Sequence, residues 1–272
     1  MARPHIEFVH AQQLPWQPAP LRSSPWARLD AKVLSVDAER GDCSLLLRLP
    51  AGFAAQATPP GFAVELFVLE GRCRIGDLDL RLDGYADLAA GPIAGGFAAD
   101  GDCVALAFFG ASAGGTGAPA RVIDTHDMPW TRHDIDPAVQ FLNLAHKVLR
   151  DVPATGERTL LLSTGAQTHP RDWREAQLKH DCVEEMYLLG GDIIGERGVM
   201  YEGAYFWRPP GLWHGPFGSR RGSLSLIRFV AGRHRNIWSD QALEFSLTPA
   251  HAPALPADLQ PVAGAAWRPT SY

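Results

Sequence analysis

The hydrophobic positions of this chain fall in short runs separated by glycine, proline or polar turns. Such bounded runs are typical of β-strands, whereas a long helix shows a sustained apolar period near 3.6 residues. The sequence therefore predicts an all-β protein, with a short helical face only between Asp136 and Leu149. The predicted strands are Lys32 to Val36, Cys43 to Leu49, Val64 to Leu69, Arg72 to Ile75, Leu78 to Leu82 and Cys103 to Phe109 in the first half, and Thr159 to Ser163, Ala176 to Val183, Glu185 to Leu189, Gly203 to Arg208 and Ser223 to Val230 in the second.

The second half of the chain repeats the first. Ala31-Lys32-Val33-Leu34 corresponds to His146-Lys147-Val148-Leu149 at an offset of 115, and Glu65-Leu-Phe-Val-Leu-Glu-Gly71 to Glu185-Met-Tyr-Leu-Leu-Gly-Gly191 at an offset of 120. Self-similarity of this kind indicates two copies of one structural unit. We predict a first domain at residues 1–112, a second domain at 121–240 and a Pro/Ala-rich tail at 241–272, with a glycine-rich linker from 110 to 120.

Composition and charge narrow the functional classes. The chain has 272 residues and a net charge of −5, so it offers no basic field for a nucleic-acid backbone or an anionic membrane. We expect neither nucleic acid nor a membrane as a partner. No signal peptide or membrane-spanning run is evident, which makes the cytoplasm the expected location. The four cysteines lack paired spacing and predict no disulfide framework.

The strongest chemical signal is a pair of histidines with a carboxylate. In a strand, His180 and Glu184 would point to the same face with Cys182 between them, and His214 follows thirty residues after Glu184. Two imidazoles and one carboxylate bind a divalent first-row metal and leave coordination positions free. Glu185 competes with Glu184 for the carboxylate role, but strand parity favours Glu184, and Glu185 aligns with Glu65 of the first half.

These residues lie in two segments that resemble the motifs of the cupin superfamily: His180-x3-Glu184-x6-Gly191 and Gly203-x5-Pro209-x-Gly211-x2-His214. The resemblance implies a tandem cupin, or bicupin, built from two jelly-roll β-barrels, with a metal centre in the second; the ChrR-like cupins of bacteria are the most similar in appearance. Leu178 stands where the family has a further histidine ligand, and Gly218 where it has asparagine. The implied ligand set is His180, Glu184 and His214, and His169 or Glu175 could supply a fourth.

The first half lacks this set. Subtracting 120 from the three ligand positions gives Pro60, Val64 and Ala94, none of which binds a metal. We therefore expect a degenerate, structural barrel in the first half.

Several residues near the motifs are candidates for a substrate pocket. Aromatic side chains could contact an apolar substrate, and arginines could orient a carboxylate, although packing and local ion pairs are the commoner uses. His126, His133, His146, His234 and His251 have no ligand spacing and are expected to be structural or exposed. The pocket candidates are Cys182, Tyr205, Trp207, Arg208, Trp213 and Arg228.

Three functions are compatible with these patterns. The first is a non-haem iron dioxygenase acting on a small carbonyl, enol or phenolic substrate, with one Fe(II) ion as its cofactor. The second is an isomerase, lyase or hydrolase in which zinc or manganese polarises a carbonyl or activates water. The third is a ChrR-like sensor without catalysis, which ranks lower because both halves read as barrels and no helical interaction segment is predicted. A homodimer is expected from the exposed barrel faces of tandem cupins.

Overall fold

The computed structural model describes residues 3–22, 24–110, 119–167, 169 and 172–269, so the predicted linker lies almost entirely outside the described chain. Strands dominate, which confirms the all-β prediction. The 3-10 helices are Ala11–Gln13, Pro25–Arg28, Thr125–Asp127, Pro137–Leu142 and Gln260–Val262. The strands are β1 (Ile6–His10), β2 (Gln17–Pro18), β3 (Asp30–Val36), β4 (Cys43–Leu49), β5 (Ala54–Ala57), β6 (Ala63–Glu70), β7 (Arg72–Ile75), β8 (Leu78–Arg81), β9 (Gly84–Leu88), β10 (Pro92–Ala98), β11 (Cys103–Gly110), β12 (Arg121–Asp124), β13 (Ala145–Val152), β14 (Glu157–Thr164), β15 (Arg174–Lys179), β16 (Val183–Gly195), β17 (Gly198–Tyr201), β18 (Ala204–Arg208), β19 (Ser223–Val230) and β20 (Ile237–Glu244).

The first of two compact units comprises Leu14–Met128 and Arg3. Its larger sheet has the order β12-β9-β6-β11-β4-β3-β2 and its smaller sheet the order β5-β10-β7-β8, with antiparallel pairing throughout. The inward-facing side chains form one core around Trp26, which packs on Phe53, Phe97 and Phe109. The indole N–H of Trp26 donates to the carbonyl of Ala57 at 3.0 Å, so this polar group is satisfied.

The second unit comprises Pro4–Gln13 and Pro129–Tyr272. Its larger sheet has the order β1-β18-β16-β19-β14-β13, with β17 on β16, and its smaller sheet pairs β15 with β20. The N-terminal strand β1 is antiparallel to β18, and Phe8 is buried in the core of this unit. The structure thus groups residues 4–13 with the second barrel, whereas the sequence prediction placed them in a first domain at 1–112. Chain proximity could not show a pairing between segments about 200 residues apart.

Both units have the same register across their larger sheets. In each sheet, a phenylalanine on a central strand has one cross-strand partner on each side. The partner on one side is in turn paired with a residue of a fourth strand, so four residues form a row across the sheet. We call these rows the Cys43 row and the Arg158 row after their first members. They consist of Cys43, Phe109, Val64 and Leu88 in the first unit, and of Arg158, Phe229, Glu184 and Arg208 in the second.

The two units also correspond on the other face of their larger sheets. The Tyr85 hydroxyl donates to Glu65 at 2.5 Å, and the Tyr205 hydroxyl donates to Glu185 at 2.6 Å. Each pair joins two adjacent strands, and both carboxylates are buried. Glu185 therefore has the structural role that its alignment with Glu65 predicted.

A glycine of the second unit's first motif also has a counterpart in the first unit. Gly71 has φ 73° and Gly191 has φ 81°, in the left-handed region that a side chain rarely adopts. A Cβ at Gly71 would overlap the backbone carbonyl of Asp102, and one at Gly191 that of Gly222. Both turns therefore require glycine for conformation and for close backbone approach.

The segment with a helical face contains a 3-10 helix, Pro137–Leu142, followed by β13. The Asp136 carboxylate caps the helix by accepting from the amide of Ala138 at 2.9 Å. The predicted irregular tail contacts the second unit, because Ala252 donates to Arg197 and Ala254 exchanges two backbone hydrogen bonds with Glu7. Within the described residues, no helix combines the length and apolar character needed to cross a membrane.

Candidate metal centre

Three side chains from separate segments converge inside the second barrel. His180 immediately follows β15, Glu184 lies on β16, and His214 lies in the loop after β18. All three are buried, and a potential ligand atom of each lies within 4.8 Å of the others. The Glu184 Oε2 atom lies 3.3 Å from His214 Nε2 and 3.9 Å from His180 Nε2. The sequence predicted a continuous strand from Ala176 to Val183, but a bend at Asp181 and Cys182 separates β15 from β16.

Backbone carbonyls orient both imidazoles. The Nδ1 atom of His180 lies 2.9 Å from the Arg235 carbonyl, and that of His214 lies 2.9 Å from the Leu212 carbonyl. A carbonyl accepts only, so each Nδ1 donates to it, and each Nε2 is the ring nitrogen directed toward Glu184. Burial lowers the pKa of His214 to about 4, with a further contribution from the charge of Arg208, so its imidazole is neutral at pH 7.

Arg208 holds the carboxylate in place. Its Nη1 donates to Glu184 Oε2 at 2.7 Å, its Nε donates to Glu7 Oε2 at 2.6 Å, and its Nη2 also contacts Glu7. Burial alone would raise the pKa of Glu184, but the charge of Arg208, with smaller electrostatic contributions from His214 and His180, lowers it to about 2. The same balance, with Arg208 as the main charge, lowers the pKa of Glu7 to about 2. Glu184 is therefore ionised at neutral pH.

This donor set fits a divalent metal ion. Two imidazoles with their Nε2 atoms directed at one ionised carboxylate are a donor set that such a metal binds. The Nε2 atom of His214 is buried and has no hydrogen-bond partner among the described residues, which is costly unless a ligand uses its lone pair. Glu184 Oε2 faces both imidazoles while it accepts from Arg208, and a carboxylate oxygen has lone pairs for two partners.

A cavity with a volume of about 670 Å³ contains the cluster, within the range typical of small-molecule sites. The inward-facing residues of β14, β16, β18 and β19 form its walls. The Arg158 row makes one level of the wall. Two residues further along each strand, roughly 7 Å away, the next level is wholly apolar. It consists of Leu160, Ile227, Met186 and Phe206.

Of the six predicted pocket residues, the cavity wall includes Arg208. Tyr205 and Trp207 alternate with Phe206 and Arg208 on β18, so they face the opposite side of the sheet. Arg228 lies opposite Glu185 on that side and forms an ion pair with it. These three predictions were wrong because the sequence did not reveal which parity of β18 and β19 faces inward.

The other two candidates also lie outside the cavity wall. Cys182 is buried in the hydrophobic core, where burial raises the pKa of its thiol to about 12. It is therefore an inert core residue. Trp213 is 39% exposed, and the Lys179 ammonium lies over its ring at 4.5 Å.

The two extra ligand candidates lie apart from the cluster. His169 stacks on Trp173 with ring centroids 4.1 Å apart and also packs on Phe245. Glu175 accepts from the amide of Ala176 at 2.9 Å. Leu178, at the position of the family's missing histidine, exchanges two backbone hydrogen bonds with His214 and lines the cavity. An apolar side chain thus occupies that side of the cluster.

The structure adds residues that the sequence reasoning missed. His234 lines the cavity, with its ring centroid 3.8 Å from Phe229 and 4.6 Å from His180. Burial and the neighbouring His180 lower its pKa to about 4. Glu7 was missed because its strand is remote in sequence. His234 follows β19 closely, but no spacing rule relates it to the ligands.

No protein-family model matches the chain, and no curated protein matches it in sequence. Solved structures do. A protein from Nostoc punctiforme described as a "putative dioxygenase" has a TM-score of 0.68 at 17% identity, covering 90% of this chain and 92% of that one. The protein Ylba from E. coli has a TM-score of 0.57 at 13% identity, covering 84% and 92%. Lactobacillus farciminis oxalate decarboxylase has a TM-score of 0.53 at 10% identity, covering 87% and 88%.

These likenesses extend over most of each chain and concern the fold. The matched proteins have the cupin fold, and the two antiparallel barrels of this chain correspond to tandem cupin barrels. The fold predicted from the two motifs is therefore confirmed.

Proposed function

We propose that the protein is a metal-dependent oxygenase of the non-haem iron type, acting on a small carbonyl, enol or phenolic substrate. The observation that carries the proposal is the convergence of two imidazole Nε2 atoms and one ionised carboxylate at a cavity of substrate size. A two-histidine, one-carboxylate set with open positions is typical of iron(II) oxygenases. Iron bound there would supply coordination sites for substrate and dioxygen.

The surrounding residues hold the three ligand side chains in position and set the polarity of the cavity. Arg208 keeps Glu184 ionised and fixes its direction, and the two backbone carbonyls fix the imidazole rings. Leu178 leaves one side of the cluster without a protein donor. The apolar level of the wall excludes water from the reacting groups and favours a substrate with a hydrophobic body.

The comparisons support this proposal only through the fold. One structural neighbour is described as a "putative dioxygenase" and another is an oxalate decarboxylase, but both are less than 20% identical to this chain. Function depends on the site grafted onto a fold, so the ligand geometry carries more weight than the names.

The proposal is tested by metal analysis and oxygen uptake. Protein purified without added metal should retain iron, and iron-reconstituted protein should consume oxygen with at least one member of a panel of diketones and phenols. Glu184→Gln should abolish the uptake. Zinc as the retained metal, together with no uptake on any substrate, would refute the oxygenase.

One observation favours a second candidate, a zinc- or manganese-dependent isomerase, lyase or hydrolase. His234 offers a neutral imidazole to the cavity beside His180, where it could accept or donate a substrate proton. Turnover without oxygen consumption, lost in His234→Gln while metal content is unchanged, would identify this chemistry.

A further inference from the structure

The cavity contains an arginine whose hydrogen-bonding capacity is not fully used. Three arginines line the wall. Arg208 is held by Glu7 and Glu184, and Arg235 pairs with Asp181. The third, Arg158, has a buried Nε atom without a hydrogen-bond partner among the described residues. Its ion-pair contact is the half-exposed carboxylate of Asp151 at 3.9 Å, a distance at which solvent screens the attraction.

The position of Arg158 relates it to the metal ligands. It lies in the same row as Glu184, on the second strand away, with Phe229 between them. Neighbouring strands lie about 4.8 Å apart, so the two backbones are about 10 Å apart. This span suits a small organic molecule that contacts both groups across the ring of Phe229.

The first barrel gives independent support. Phe109 of the Cys43 row corresponds to Phe229, so the aromatic member is retained, but Cys43, Val64 and Leu88 replace all three charged residues. Cys43 is fully buried in the hydrophobic core. Glu184 and Arg208 belong to the site of the second barrel. Like them, Arg158 occurs in the second barrel and has an apolar counterpart in the first.

The other charges near the cavity include a buried network with a net negative charge. Arg208 pairs with both Glu7 and Glu184, so its cation offsets one of the two carboxylates, and this network lies beyond Phe229 from Arg158. Asp136 accepts from the Ala138 amide and from the side chain of Asn236 at 2.8 Å, and Asp134 is exposed to solvent. A guanidinium with a buried Nε that lacks a hydrogen-bond partner among the described residues, beside an apolar wall, is suited to a carboxylate, which it can bind through two parallel hydrogen bonds.

We propose that Arg158 binds the carboxylate of an amphipathic organic acid, whose apolar body packs on Phe229 and the apolar level of the wall, and whose oxygenated end faces His180, Glu184 and His214. This inference rests on the proposed function and specifies its substrate class. Arg158 thereby takes the carboxylate-orienting role that the sequence suggested for Arg208 or Arg228. Both of those arginines form ion pairs with buried glutamates.

The test is a binding comparison in metal-free protein, in which a carboxylate cannot bind through a metal. Octanoate and 1-octanol share an alkyl chain and differ in charge, and their affinities are measured by titration calorimetry after EDTA treatment. Wild-type protein should bind octanoate at least tenfold more tightly than 1-octanol. Arg158→Gln should weaken octanoate binding roughly tenfold to a hundredfold and leave 1-octanol unchanged.

Arg174→Gln is the matched control, since Arg174 is exposed on β15 and donates to the Ala242 carbonyl outside the cavity. It should leave both affinities unchanged. Wild-type protein that binds octanoate no more tightly than 1-octanol, or binds neither, overturns the proposal without any variant. Equal octanoate affinity in wild type and folded Arg158→Gln does the same. Oxygen uptake and metal content test the oxygenase separately, since Arg158→Gln should retain a full equivalent of metal.

Discussion

The two barrels of this protein share a framework and differ in what points inward. Both have a buried tyrosine–glutamate pair on the outer side of the larger sheet, and both have a phenylalanine in the same inward row. The remaining inward positions of the Cys43 row are apolar, whereas those of the Arg158 row are charged. The same strand register therefore accommodates an apolar or a charged barrel interior. The two barrels differ at only a few inward-facing side chains of these rows.

The difference also shows how an interior is used. In the first barrel, Trp26 and Phe97 fill the space beside the Cys43 row, and apolar packing stabilises the unit. In the second, a cavity adjoins a buried network of Arg208 with two carboxylates. Buried ion pairs of this kind contribute little net stability, because the loss of hydration of the charges offsets their attraction.

The largest expected effect comes from deleting a ligand that the first barrel lacks. His214→Ala removes an imidazole whose counterpart by offset is Ala94, so metal content should fall from one equivalent to near zero. The fold should survive because the core does not depend on the ion. Elemental analysis measures the loss, with His126→Ala in the first barrel as the control. Full metal occupancy in His214→Ala would show that the assigned centre is wrong.

A second prediction concerns the buried charges. Arg208→Leu copies Leu88 of the first barrel but leaves Glu7 and Glu184 buried without their cation, which should cost about 3–5 kcal/mol of unfolding free energy. Adding Glu7→Gln and Glu184→Val should recover much of that loss while metal binding stays absent. Urea unfolding of both variants measures the effect. A triple variant as unstable as Arg208→Leu would mean that the network itself stabilises the barrel.

The third prediction is that acid destabilises the second barrel first. Burial lowers the pKa of His10, His214 and His234 to about 4, from an ordinary value of 6.5. The unfolded chain therefore binds protons below pH 6.5 that the folded chain does not bind until about pH 4. Stability is full above pH 6.5 and is lost as the pH falls toward 4.

Residues 14–128 contain a single histidine, His126, which is exposed. Hydrogen exchange of metal-free protein at pH 7 and pH 5, corrected for intrinsic rates, should show protection lost in the second unit and retained in the first. His234→Gln should weaken the pH dependence. Equal losses in both units would exclude the buried histidines as the cause.

The sequence revealed the fold and the ligand cluster because both depend on local spacing. Turn glycines such as Gly71 and Gly191 and the ligands of the second barrel fall in fixed frames that a repeat makes visible. Side-chain direction on β18 and the pairing of Glu7 with Arg208 depend on contacts between remote strands, which spacing does not encode. Arg158 was missed for the same reason, since its relation to Glu184 exists only through the register of β14, β19 and β16.

The smallest expected effect tests what the barrels share. Tyr85→Phe and Tyr205→Phe each delete a hydroxyl that donates to a buried glutamate, and one such hydrogen bond to a charged group contributes about 1.5–3 kcal/mol. Arg228 also pairs with Glu185, so Tyr205→Phe should fall at the lower end of this range. Urea unfolding measures both losses, and metal content should stay at one equivalent in each variant. A loss of metal in Tyr205→Phe alone would show that the outer face of the second barrel also serves the site, and that the two frameworks are not equivalent.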